Sequence, residues 1–152
     1  RCTSSAASDV YKRQVSLQIE LGKYLVSSPE STVADVVHVS GDMPSAPTDI
    51  ISQTGGAPTD NLSAAAWMID MSAYLNETTG LPNAVIQTGY GVPTSTILPG
   101  SMAIIVYQGS TAEHDEATDK FRMDEGYLRR MSKANDYFDR SSFFNILLRK
   151  LI

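Results

Sequence analysis

Two glycine breaks draw attention first, because each closes an apolar run: Gly89-Tyr90-Gly91 after NAVIQT, and Gln108-Gly109-Ser110 after MAIIVY. A glycine N–H at a strand end can approach a ligand closely because no Cβ intervenes. A glutamine amide adds a neutral donor that does not titrate. The bland alternative is a pair of structural turns. Just downstream, EHDE (113–116) gathers three carboxylates and a histidine. Imidazole and carboxylate suit several divalent ions, although acids clustered this way also suit the solvated start of a helix, where the dipole favours them. His38, inside a β-branched run, reads as a satisfied core or edge histidine. SGDM (40–43) reads as an ordinary turn, and YLRRMSK (127–133) as a solvated helix face.

These residues need elements to position them. VADVVHVSGD (33–42) reads as a buried strand closed by a turn at Gly41, and VSLQIELGKYLV (15–26) as an alternating strand ending at Ser27, Ser28 and Pro29. Met43 to Asp60, rich in Pro, Ser, Thr and Gly, reads as a long loop. Asp60 or Asn61 can cap a helix in which Ala64, Trp67/Met68, Met71 and Tyr74/Leu75 form one apolar stripe, with Gly80 at its end and Pro82 beyond. That stripe is the signature of core packing. NAVIQT and MAIIVYQ are unalternating apolar strands, EATDKFRMDEGYLRRMSKAND is helical with Gly126 weakening it, and SSFFNILLRKLI reads as a last helix capped at Ser141 or Ser142. Helices between unalternating strands predict an α/β fold, a fragment of a three-layer α/β/α sheet with mostly parallel strands. In such sheets ligands bind beyond the carboxyl ends of strands, where both glycine breaks fall.

The chain has 152 residues with a formal charge of −5. Its opening, SSAASDVYKRQ (4–14), matches the translation of a transposase end sequence used in preparing sequencing libraries, with Arg1 to Thr3 as readthrough. The reading divides the chain into an adapter-derived segment, 1–14, and a partial hydrolase-like domain, 15–152. Setting the first segment aside removes Arg1, Lys12, Arg13 and Asp9, so twelve basic and seventeen acidic residues become nine and sixteen. The single cysteine, Cys2, goes with it, leaving no disulfide framework and no thiolate chemistry. An acidic chain without a basic cluster argues against nucleic acid as main partner. No apolar run reaches the roughly 18 residues of a membrane span. No cofactor is implied.

The block DNLSAAAWMIDMSAYLNETTGLPNAVIQTGYGVPTS, followed by AIIVYQG, resembles the sialate O-acetylesterase-like carbohydrate esterases of the SGNH hydrolase superfamily. There a helix beginning Ser-Ala leads through a Gly-x-Pro turn to a strand ending Trp-Gly-Gly-Thr, and a later strand ends Trp-Tyr-Gln-Gly-Glu. The resemblance implies a serine esterase that removes O-acyl groups from carbohydrate. It puts Tyr90 in the place of the tryptophan, Gly91 and Gln108 as oxyanion donors, and Gly109 and Ser110 beside the substrate. Val92, Pro93 and Ser110 depart from the pattern, and neither the serine nor the histidine motif is in the chain. The fragment is therefore expected to be inactive, its nucleophile and base lying beyond its ends. Two other readings stand beside this one. The first is a non-enzymatic structural or binding module, such as a virion or surface-assembly subunit, prone to self-association. The second is a metal site built on His38, His114 and nearby carboxylates.

Overall fold

The computed structural model describes residues 34–46, 48–88 and 101–150. Every described residue belongs to one compact unit, 32–152. The strand expected over 15–26 lies outside the described residues, as do Tyr90 and Gly91.

The elements run β1 (Ala34–Ser40), β2 (Ile50–Gly56), α1 (Asn61–Thr79), β3 (Asn83–Thr88), β4 (Met102–Gln108), α2 (Thr111–Arg122), α3 (Glu125–Met131), α4 (Ala134–Tyr137), a 3₁₀ turn (Arg140–Ser142) and β5 (Phe144–Arg149). The five strands form one sheet in the order β1-β3-β4-β2-β5, and each neighbouring pair is antiparallel. β2-α1-β3-β4-α2-β5 is thus a pair of interleaved βαβ units, each split by a strand of the other, with β1 added beside β3. This is a ferredoxin-like α+β arrangement.

The expected parallel α/β/α sheet is corrected by this topology, and the reason is specific. The helix α1 does join two strands of the same direction, but they are β2 and β3, with β4 inserted between them. β2 lies inside the stretch that reads as a loop, so the strand count, and with it the parity of directions, came out wrong. ISQTGG hides its strand character because Gly55 and Gly56 carry no side chain to show alternation. β3 and β4 look unalternating because they are central and bear apolar side chains on both faces.

Among the described residues β1 is an edge strand rather than a buried one. It carries a bulge at Val37, between the pairs Val36–Ile86 and His38–Val85, and Val36 is 63% exposed. The tail expected to be helical forms β5 after a 3₁₀ turn in which the Asp139 carboxylate accepts from the Ser141 N–H at 2.9 Å. Its register against β2, from Ile50–Arg149 to Gly55–Phe144, has no slip. β-Sheet pairing overrides the weak helical pattern of FNILLR, as tertiary context commonly does.

Helix α1 follows its sequence signals closely. Asp60 caps it by accepting from the Ser63 N–H at 2.8 Å, and Gly80 ends it in the left-handed region at φ 75°. Ala64, Met68, Met71 and Leu75 pack on Val85, Met102 and Ile104 of the sheet and on Phe138, forming the core. The second expected helix is broken at Met123, and Asp124 starts α3 by accepting from the Tyr127 N–H at 2.6 Å. The same carboxylate accepts from the Tyr74 hydroxyl at 2.6 Å, while the Arg130 guanidinium lies 4.0 Å from the Tyr74 ring centre and donates to Asp70 at 2.7 Å. Arg130 thus clamps α3 to α1 instead of facing solvent. Gly126 permits this close approach, since a Cβ there would stand 2.2 Å from the Tyr74 hydroxyl.

Hydrogen bonding to Ser63, Tyr74 and Ser141 respectively holds the Asp60, Asp124 and Asp139 carboxyls below their ordinary range. The folded state therefore favours their charged forms. That contribution is complete above the ordinary carboxylate range and is lost as pH falls through the lowered values. Melting temperatures measured from about pH 6 down to about pH 2 should fall most steeply below about pH 4. Asp60→Asn should keep the neutral-pH value, because asparagine caps equally well, while flattening the acid slope. An unchanged acid slope in the triple Asp→Asn variant would refute this account.

A buried polar chain joins α1 to the β1–β3 edge. His38 Nε2 lies 3.1 Å from Ser40 Oγ, and Ser40 Oγ lies 2.8 Å from Ser72 Oγ. Ser72 donates to the Asn83 carboxamide oxygen at 2.5 Å, and Asn83 Nδ2 donates to the Ser72 and Leu81 carbonyls, each at 3.2 Å. Ser72 and Asn83 are fully buried. Asn83→Ala would remove three buried hydrogen bonds, leaving the Ser72 hydroxyl with Ser40 alone and the Leu81 carbonyl with the Asn76 amide. It should cost roughly 2–3 kcal/mol in urea unfolding, and a loss below about 0.5 kcal/mol would show the chain to be dispensable.

Candidate functional site: a cavity between helices and sheet

The site is built where β4 hands over to α2. Gln108 closes β4 and is 3% exposed. One end of its amide donates to Ser52 Oγ of the adjacent β2 at 3.3 Å, and the other, Oε1, is buried with no partner. After Gly109 the sequence runs S-T-A-E, and it acts as a variant of the capping box, with the glutamate taking the N–H one residue before the cap. Ser110 Oγ accepts from the Glu113 N–H at 3.2 Å, and the Glu113 carboxylate reaches back to accept from the Gly109 N–H at 2.5 Å. This fixes the first turn of α2 and with it the ring of His114, whose Nδ1 is also buried and unpartnered. Gln108 and His114 both line one cavity of about 390 Å³ between the helices and the sheet.

The walls of that cavity are apolar: Met68, Met71 and Leu75 from α1, Ile104 and Val106 from β4, and Phe121 from α2. Phe121 stacks on Tyr127 with ring centres 4.7 Å apart, which ties α2 to α3 over the cavity. Burial pushes the Tyr127 phenol above its ordinary range. Its size and lining match the general profile of small-molecule sites, mostly hydrophobic with a few placed polar groups. Buried polar atoms are nearly always paired in folded proteins, so two orphans on one apolar cavity call for an explanation.

A second recess, about 570 Å³, opens beside Trp67, Asp70, Arg130, Lys133 and Tyr137. It is open, and its inner polar groups already serve one another: Arg130 pairs with Asp70, and the Trp67 indole donates to the Arg130 carbonyl at 3.2 Å. It offers no unpaired buried group.

The structure brings Gln108, Gly109 and Ser110 together as consecutive residues of the strand-to-helix junction, with Ser110 serving as helix cap. EHDE forms the first turns of α2, and of its members His114 faces the cavity while Asp115 and Glu116 are exposed. His38 is engaged with Ser40, and Gly41 makes the expected turn at φ 80°. Among the described residues no three His, Cys, Asp or Glu side chains gather as a metal site, which removes support for a site joining His38 and His114. Trp67, Met68 and Met71 do pack in the core, and the two methionines also wall the cavity. No described helix is long and apolar enough to cross a membrane.

The residue undervalued in the sequence is His114. A signal was available: His114, Ala117/Thr118 and Phe121/Arg122 recur at three- and four-residue spacings, the period of a helix face turned inward. Only the strong acids around His114 hid it.

An antiparallel α+β sheet with helices on one side and a cavity between the layers defines the class. No family model matches the chain, and no curated protein matches it. Among solved structures it is similar to the crystal structure of LmHde, a heme-degrading enzyme from Listeria monocytogenes, with a TM-score of 0.52 and 10% identity over 82% of this chain and 75% of that one. At that identity the likeness establishes the fold. It also overturns the esterase resemblance, because SGNH hydrolases are built on parallel sheets and every strand pair here is antiparallel. The comparisons support neither a carbohydrate esterase nor a virion subunit. The short motifs that suggested the esterase are helix-end and strand-end grammar shared by many folds.

Proposed function

We propose that this chain binds a planar, largely apolar organic molecule in the cavity between helices and sheet, with an iron porphyrin as the compound of choice. The observation that carries the reading is the pair of buried, unpartnered atoms, Gln108 Oε1 and His114 Nδ1, on a cavity walled mainly by apolar side chains. Such atoms cost roughly 1–3 kcal/mol each when left unsatisfied, and a ligand that pairs with them recovers that energy. The porphyrin is favoured over other flat apolar molecules because LmHde, similar in fold, is a heme-degrading enzyme.

The residues present fit such a group. Imidazole is a common axial ligand of haem iron, and His114 offers the only imidazole lining the cavity among the described residues. When bound, the iron supplies the redox and oxygen chemistry of the cofactor. The chain's part is to hold and shield. Met68, Met71 and Phe121 would exclude water from the macrocycle, His114 would hold it through a ring nitrogen, and Gln108 Oε1 would accept at the β4 end from a donor brought with the ligand, such as a water.

Titrating the full chain with haemin and following the Soret band should give a saturable shift with one equivalent bound. A linear, unsaturable response indistinguishable from that of an unrelated acidic protein would sink the reading.

A further inference from the structure

The cavity-facing stripe of α2 has polar groups at its two ends and, between them, apolar groups and one threonine whose hydroxyl is spent on the His114 carbonyl. His114 stands in the first turn and Arg122 at the last residue, with Ala117, Thr118 and Phe121 lying between on the same face. Eight residues of helix separate the two ends by about 12 Å. Arg122 also supplies the one full charge on the cavity lining among the described residues, where neither aspartate nor glutamate appears. Its contact with Asp119 is loose, 3.4 Å with both side chains about three-quarters exposed, so it holds Arg122 weakly and leaves the guanidinium able to turn inward.

Resting on the binding reading above, we infer that the ligand of this cavity carries an oxyanion, a carboxylate in the form tested here, which Arg122 receives at the outer end. A guanidinium presents parallel N–H donors whose geometry matches a carboxylate. The cavity therefore sorts molecules by polarity along its length: a group for His114 and Gln108 at the inner end, an apolar body, and an anion about 12 Å away.

The test compares haemin with haemin dimethyl ester, in which both carboxylates are masked, on the full chain and its Arg122→Gln variant at low salt. The wild type should bind haemin roughly fivefold more tightly than the ester, and Arg122→Gln should erase that preference by weakening haemin alone. Added salt should weaken haemin and leave the ester unchanged. Equal affinities for haemin in wild type and variant would overturn the inference while leaving the porphyrin reading intact. If neither porphyrin binds, 8-anilinonaphthalene-1-sulfonate serves as a second apolar anion. Binding that is weakened by Arg122→Gln would then uphold the anion end and reject the porphyrin, and no binding would reject both.

Discussion

Gly55→Val is expected to destabilise the fold by more than about 3 kcal/mol. Gly55 sits in β2, a strand flanked by β4 and β5, and is paired across from Ala103. A Cβ at Gly55 would lie 2.3 Å from the Met102 carbonyl oxygen, 2.7 Å from the Ala103 Cβ and 2.8 Å from the Ala103 Cα. Two of those three atoms are backbone, and Ala103 is 1% exposed, so no flexible side chain can yield. The sheet must part locally, which breaks ladder bonds and opens the packing of Met102, itself fully buried in the core. Overpacking alone costs about 1–3 kcal/mol, and more where backbone must move. A small domain of this size is stable by roughly 5–15 kcal/mol, so the change removes much of its margin. Gly56→Ala is the control. Its Cβ would meet the Ser142 hydroxyl at 3.1 Å, needing a shift of a few tenths of an ångström, and would otherwise make only ordinary contacts with Phe138 and the Phe143 Cα, so the variant should melt within a few degrees of wild type. Urea unfolding monitored by circular dichroism decides the matter. A Gly55→Val chain that unfolds like the parent would mean that β2 is not wedged against β4.

The second large effect separates function from stability at one residue. His114→Leu is expected to lower haemin affinity by at least about tenfold, equivalent to about 1.4 kcal/mol, and to abolish the Soret shift. In the absence of ligand the same change should leave melting unaltered or raise it. The imidazole has a buried nitrogen without a partner, and leucine removes that unsatisfied group while adding apolar contact to Met68, Met71 and Phe121. Residues kept at a cost to stability are the usual mark of a binding site. A structural histidine would behave in the opposite way, with stability falling and ligand binding changing only through unfolding. Scanning calorimetry of the free protein beside a haemin titration of both chains distinguishes the two. A destabilised His114→Leu chain with unaltered haemin affinity would show that the cavity is merely imperfect packing.

Several parts of this molecule were legible in one dimension. Helix α1 was, since Asp60, the Ala64-Met68-Met71-Leu75 stripe and Gly80 are all local signals satisfied within one helix. β3 and β4 were legible as strands, and the turn at Gly41 as a turn. The break at Met123 was less so, because Asp124 caps α3 in a way that depends on Tyr74, fifty residues earlier in sequence. The candidate site was half visible. Gln108 attracted attention as a neutral donor at a strand end, and its place in the structure is such an end. The esterase role attached to it does not survive the antiparallel sheet.

Local chemistry along the chain, then, determined where α1 begins and ends and which of its faces is buried. It also marked the acids of 113–116 as suited to the start of a helix, because charge and periodicity act over a few residues, whereas Ser110, read as lying beside substrate, took its capping role only in the structure. Strand direction and order were decided only by the tertiary structure. A strand's partner is a distant segment, and one unseen strand, β2, reverses the apparent direction of its neighbours. The pairing of FNILLR with β2 turned an apparent helix into β5. The joint exposure of Gln108 and His114 to one cavity was likewise beyond the sequence, since it depends on α1 and α3 closing over the sheet from elsewhere in the chain.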